Sequence, residues 1–302
     1  ALRLKEKCTP RFFGAHIFLS DVMLFTNYRR EGLRMKTRKL RLVALLVAAM
    51  CLLIAGCTDA GIKDNTEKEK LLIGSDIYSP YFYLDDNGDF AGIDVEIATE
   101  ACRRLGLAPV FIRIEWQNKA KYLADHTIDC LWGSFSMNGR EDDYLWAGPY
   151  LSSRQVVVVN AASNIYSLSD LSGMRVAVQN GTKPESIFLT NAIKDVYVYK
   201  VYSFTNIANV FSALKNGYVD ACAGHETAYR DYIKNTEGSY RILDEALLTA
   251  NLGVAFEKHT DREKAEKLSA VLEEMRADGT IRKILEQYDL DVDFALNGGD
   301  VQ

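Results

Sequence analysis

Between Trp132 and Arg140 the chain reads Trp-Gly-Ser-Phe-Ser-Met-Asn-Gly-Arg. This run offers two hydroxyls (Ser134, Ser136), one amide (Asn138), a freely turning glycine (Gly139) and one guanidinium (Arg140). The apolar stretch Ile128 to Leu131 before it has the character of a strand. Small donors and a fork-shaped cation just past a strand end suit a carboxylate or a phosphate. An ordinary polar loop has the same composition, so the surrounding elements must decide.

Those elements alternate. Leu71 to Ser75 is a buried strand, followed by the aromatic turn Asp76 to Tyr83 and an Asn-Gly hairpin signal. Asp94 reads as the N-cap of a helix over Val95 to Leu105, which Gly106 ends. Val110 to Ile114 is a strand and Trp116 to Ala124 a short helix. Val156 to Val159, four valines, reads as a buried strand. Strands are also expected at Arg175 to Gln179, Val196 to Tyr202 and Tyr218 to Ala223, with a helix around Asn206 to Asn216. Gly181 and Thr182 precede Pro184 and Glu185, which suit a first helical turn, so their amides lie at a positive helix end. The order predicts an α/β body with mostly parallel sheets. An internal echo supports two similar lobes. Leu123, Ile128-Asp129 and Gly133 have the same spacing as Leu214, Val219-Asp220 and Gly224. Each set passes from helix to strand to the loop beyond the strand, where α/β sheets place ligands.

The overall charge of −5 conceals a division. Residues 1–56 carry 11 Lys/Arg against 3 Asp/Glu, which leaves the rest of the chain at a net −13. That acidic body argues against nucleic acid as a partner. Met35 opens a basic segment, and the apolar run Leu42 to Ala55 is too short to span a membrane, so 35–56 reads as a secretory signal. Its end, Leu53-Ile-Ala-Gly-Cys57, resembles a bacterial lipobox, with Cys57 the lipidated residue. Residues 1–34 precede a complete signal and read as an upstream mis-start. Residues 57–70 are polar, with little to bury, and read as a tether. Cys102, Cys130 and Cys222 lie among apolar residues and read as buried thiols, with a Cys130–Cys222 bridge the alternative. The four histidines make no metal pattern, and no cofactor is expected.

Gly92-Ile-Asp-Val-Glu-Ile-Ala-Thr-Glu-Ala-Cys-Arg-Arg-Leu105 resembles the family 3 extracellular solute-binding proteins, receptors of polar amino-acid uptake by ABC transporters. Further matches follow in that family's order: Ile73-Gly-Ser-Asp, Tyr78-x-Pro-Tyr-Phe82, Ile128-Asp129, Gly148-Pro-Tyr150, Gly173-x-x-Val-Ala-Val-Gln-x-Gly-Thr182, Gly217-x-Val-Asp220 and Asp278-Gly-Thr280. The resemblance implies a periplasmic-binding-protein-like clamshell on a two-strand hinge. Residues 71–155 with 252–302 would form the first lobe and 156–251 the second. It implies a monomeric, lipid-anchored receptor that hands an amino-acid-like solute to a permease. By the same resemblance Tyr78 and Trp116 sandwich the solute's side chain, and Ser134 and Ser136 lie along its backbone. Arg140 grips its α-carboxylate, Thr182 meets that carboxylate from the second lobe, and Asp76 reads a basic side chain.

Two departures stand out. The loop from Ser136 to Arg140 is one residue shorter than in the family, and the acid expected at the solute's ammonium is His225, with Glu226 beside it. Either Glu226 substitutes for that acid or the solute is not a simple α-amino acid. Other functions on this fold are a ligand-sensing receptor domain and a dehydratase-like enzyme. Against an enzyme, the sequence shows no Ser/His/Asp spacing and no paired carboxylates in a shared loop. His225 with Glu226 is the one pair that could do acid–base work.

Overall fold

The computed structural model describes residues 68–260 and 262–298. In chain order these form β1 (Lys70–Ser75), β2 (Tyr83–Leu84), β3 (Phe90–Ala91), α1 (Ile93–Leu105), β4 (Ala108–Arg113), a 3-10 turn (Trp116–Asn118) and α2 (Lys119–Ala124). Then come β5 (Cys130–Leu131), β6 (Leu145–Asn160), β7 (Arg175–Gln179), α3 (Lys183–Leu189), β8 (Lys200–Phe204), α4 (Ile207–Lys215), β9 (Ala221–His225) and α5 (Glu226–Lys234). The chain closes with β10 (Tyr240–Ile242), β11 (Leu248–Phe256), α6 (Arg262–Ala277), α7 (Thr280–Leu285) and α8 (Val292–Asn297). The signal, the tether up to residue 67 and Cys57 lie outside the described residues. No helix among the described residues is long and apolar enough to cross a membrane.

One mixed sheet runs in the order β4-β1-β5-β11-β6-β9-β7-β8, with β10 on β6. Its two ends are parallel trios: β1 pairs with β4 and β5, and β7 pairs with β8 and β9. The long antiparallel strands β6 and β11 join them. This is a periplasmic-binding-protein-like fold, parallel in each half and antiparallel at the join. The four valines lie in β6 and alternate between two cores. Val157 and Val159 face one with Leu171 and Phe188, while Val156 and Val158 face the other with Phe211 and Tyr229. Cys102, Cys130 and Cys222 are free and buried.

The echo has a physical basis. Asp129 donates its N–H to Leu72 O (2.8 Å) and accepts from Leu72 N on Oδ2 (2.7 Å). Asp220 makes the same two-bond clasp with Arg175, at 2.9 and 2.8 Å. Each clasp fixes the start of a strand against its parallel neighbour, so β1 and β7 run equivalent courses. The preceding turns also match: Thr127 and Ile128 donate to Tyr122 O as Tyr218 and Val219 donate to Ala213 O. These turn bonds delay β9 to Ala221, later than the expected Tyr218. The expected strand from Val196 likewise begins only at Lys200, because Asp195 is left-handed (φ 60°) and Val196 N closes a turn on Ile193 O.

Asp94 is not a cap. The helix α1 starts at Ile93, and its first amides donate to the aromatic turn, Ile93 N to Pro80 O and Asp94 N to Tyr81 O, both at 3.0 Å. With those donors satisfied, Asp94 turns inward and is buried. Gly92 makes this possible with φ 122°, and a Cβ there would lie 2.5 Å from Tyr81 O and 2.6 Å from Pro80 O. Gly92→Ala is therefore expected to destabilise the fold by roughly 3 kcal/mol or more, from backbone strain plus a clash with main-chain oxygens. Urea unfolding checks this, and a loss below about 1 kcal/mol would contradict it.

Candidate functional site

The C-terminal ends of β1, β5, β7 and β9 converge on one cleft with about 430 Å³ of empty space, part of it open to solvent. Asp76, Tyr78, Trp116, Ser134, Ser136, Arg140, Thr182 and His225 all line it. Glu226 does not. His225 ends β9 and lines the cleft, whereas Glu226 opens α5 and turns away to pair with Arg154 (3.2 Å) and Arg230 (2.6 Å).

The loop holding the two serines is fixed by Asp94. Its carboxylate accepts from Ser134 N (2.7 Å) and Tyr150 Oη (2.8 Å). Ser134 is left-handed (φ 45°), a strained state that the buried bond to Asp94 offsets. The short loop still delivers Arg140 to the cleft, because Gly139 (φ 67°) lets Arg140 N close a turn on Met137 O (2.8 Å). The guanidinium is half-buried, lies 5.2 Å over the Phe135 ring and donates to Ser136 O (3.1 Å). Burial lowers its pKa, and among the described residues no carboxylate stands within ion-pair distance of it.

Across the cleft Gln179 Nε2 donates to Asp76 Oδ2 (2.5 Å), joining the ends of the equivalent strands β1 and β7. Tyr78 Oη accepts from His225 N (3.2 Å). Lys119 Nζ donates to Gly181 O (3.0 Å) and lies 5.0 Å over the Trp116 ring. Trp116 meets Phe135 edge-on at 5.1 Å, so it packs in the core and lines the cleft at once. Thr182 is the N-cap of α3, with its hydroxyl donated to Gln179 O (2.6 Å) and its amide at the helix start. Burial raises the pKa of Asp76 to about 6, against the hydrogen bond from Gln179. It lowers that of Lys119 to about 8, with Arg140 adding to the effect. His225 is pushed to about 3 by burial and is a neutral imidazole, in contact with Gln155 Nε2 (2.8 Å) and Ser153 Oγ (2.9 Å).

Sequence reasoning missed Gln155, Gln179, Phe135 and Lys119. Gln179 had a signal, since it ends β7 as Asp76 follows β1. Lys119, at the start of α2, had none. The buried Oε1 atoms of Gln155 and Gln179 lack hydrogen-bond partners among the described residues, although both side chains line the cleft. The cleft can therefore hold an anion on Arg140 and accept hydrogen bonds at two further points.

Residues 71–291 match the family described as bacterial extracellular solute-binding proteins, family 3. The chain belongs to this family. Among its relatives are the L-cystine-binding protein TcyA of Bacillus subtilis (28% identical, covering 83% of this chain and 97% of that one) and the histidine-binding periplasmic protein of Salmonella typhimurium (28%, covering 76% and 90%). A solved structure of an ancestral arginine-binding protein bound to arginine superposes with a TM-score of 0.68 at 30% identity, covering 73% of this chain and 98% of that one.

In this solute-binding protein Asp94 carries a pH signature. Burial raises its pKa from 3.8 to about 7, with the bonds from Tyr150 and Ser134 opposing. The folded state thus binds more protons than the unfolded state between about pH 4 and 7, and stability from this group falls as pH rises through that window. Relative to Asp94→Asn, the wild type should lose stability from pH 4 to 7, by at most about 1.4 kcal/mol per unit. Thermal unfolding of both proteins across that range checks this, and a constant difference would contradict it.

Proposed function

We propose that the protein is an extracytoplasmic receptor, lipid-anchored through Cys57, that binds an amino-acid-like solute in the cleft and delivers it to an ABC transporter permease. The observation that carries the reading is Arg140, a half-buried guanidinium lining the cleft without an acidic partner among the described residues. A solute carboxylate would complete it in a bidentate pair, with Ser134, Ser136 and the Thr182 amide taking the remaining lone pairs. The names of the relatives, binders of cystine, histidine and arginine, support an amino-acid-like solute and a receptor that performs no chemistry. The outward course of Glu226 also leaves His225 without a partner for acid–base work.

In this reading residues 71–155 with 252–302 and residues 156–251 are the two lobes, hinged where β6 and β11 cross near Gln155–Val157 and Ala250–Gly253. The solute touches both, binds the closed arrangement better and shifts the population toward it. Asp76–Gln179, Tyr78–His225 and Lys119–Gly181 are the contacts that closure makes. Tyr78 and Trp116 flank the solute's side chain, and Asp76 with Gln179 meets its far end.

A thermal-shift screen over amino acids and small carboxylates identifies the solute, and titration calorimetry then tests the anchor. Arg140→Ala should keep its fold and lose about 3–5 kcal/mol of binding, the cost of leaving a buried carboxylate unpaired. Unchanged affinity would refute the assignment.

A further inference from the structure

A carboxylate on Arg140 determines which groups meet the carbon next to it, so this inference rests on the reading above. Arg140 donates to Ser136 O (3.1 Å), and Ser136 Oγ lies 3.4 Å from Gln155 Nε2. Gln155 Nε2 is 2.8 Å from His225 Nε2, and His225 Nδ1 is 2.9 Å from Ser153 Oγ. Arg140 is therefore continuous with a chain of hydroxyl, amide and imidazole groups, none of them acidic. Gln155 lines the cleft, and its buried Oε1 is an acceptor without a partner among the described residues. Asp76 is the one acid lining the cleft among the described residues. It is tied to Gln179 at the strand ends, and its cationic neighbours are Lys119 and Arg113 rather than Arg140. Glu226 is turned away.

An ammonium placed beside this chain leaves water without meeting a carboxylate, and its lost hydration offsets much of what its hydrogen bonds return. A hydroxyl finds the same partners. It can donate to Gln155 Oε1 and accept from the amide, and it has no charge to desolvate. Strong rejection of an analogue arises where removing a group strands a buried partner, and exchanging an amine for a hydroxyl strands none here. We infer that the cleft reads the solute's α-substituent through neutral groups only and takes an L-α-hydroxy acid about as well as the α-amino acid with the same side chain.

Titration calorimetry on the full chain tests this with matched pairs: L-phenylalanine and L-phenyllactate, L-histidine and L-imidazolelactate, L-arginine and L-argininate. Within the pair that binds most tightly, the two Kd values should agree within about tenfold. His225→Asp and Gln155→Glu each place a carboxylate beside the α-position, and each should move the ratio toward the amino acid by about 30-fold or more. A wild-type preference for the amino acid above about 100-fold would overturn the inference and leave the proposed receptor function standing. A ratio unmoved in both folded variants would also overturn it. If none of the three pairs binds, the amino acid found by the screen and its own α-hydroxy analogue take their place, and binding that survives Arg140→Ala would refute the carboxylate reading beneath it. Circular dichroism establishes that each variant folds; where neither does, the wild-type ratio alone decides.

Discussion

A guanidinium drawn half out of water, with no carboxylate at ion-pair distance among the described residues, is the constraint around which the cleft is arranged. Arg140 has exchanged part of its hydration for the face of Phe135 and one carbonyl, Ser136 O. Neither supplies a negative charge, and a buried cation is costly until one arrives. The neighbours keep it that way: Lys119 adds to the positive field, His225 is neutral, and Asp76 is occupied with Gln179. In the proposed reading the cleft is thus preorganised for the anion that the solute brings.

That arrangement depends on how the sheet is laid out. The matching clasps at Asp129 and Asp220 set two parallel trios in equivalent registers, so their strands end facing one another across β6 and β11. Asp76 and Gln179 meet because they stand at corresponding ends. Asp94 then converts fold into site, because a single buried carboxylate ties the start of α1, the Ser134 amide and Tyr150 on β6. Its elevated pKa is the energetic consequence of placing that tie in the core.

Much of this was legible in the residues. Alternation of strand and helix signals, the valine run in β6 and the spacing of the two aspartates foretold the architecture. Eight of the proposed contact residues line one cleft, and most of them lie at or just beyond the C-terminal ends of the parallel strands. What failed depended on contacts distant in sequence. Asp94 looked like a cap because nothing local shows that carbonyls of the aromatic turn already satisfy the first helical amides. Glu226 looked available because one residue of offset, invisible without knowing where β9 ends, decides which way it points. Gln155 and Lys119 make their contacts, with His225 and Gly181 O, only with segments far away in the chain.

If Arg140 receives the α-carboxylate of the bound solute, removing that charge must cost most of the affinity. Calorimetric comparison of the tightest-binding amino acid with its own α-carboxamide, which keeps size and side chain but removes the anion, tests it most directly. Affinity for the carboxamide should be lower by about 100-fold or more. Equal affinity for the two would contradict it.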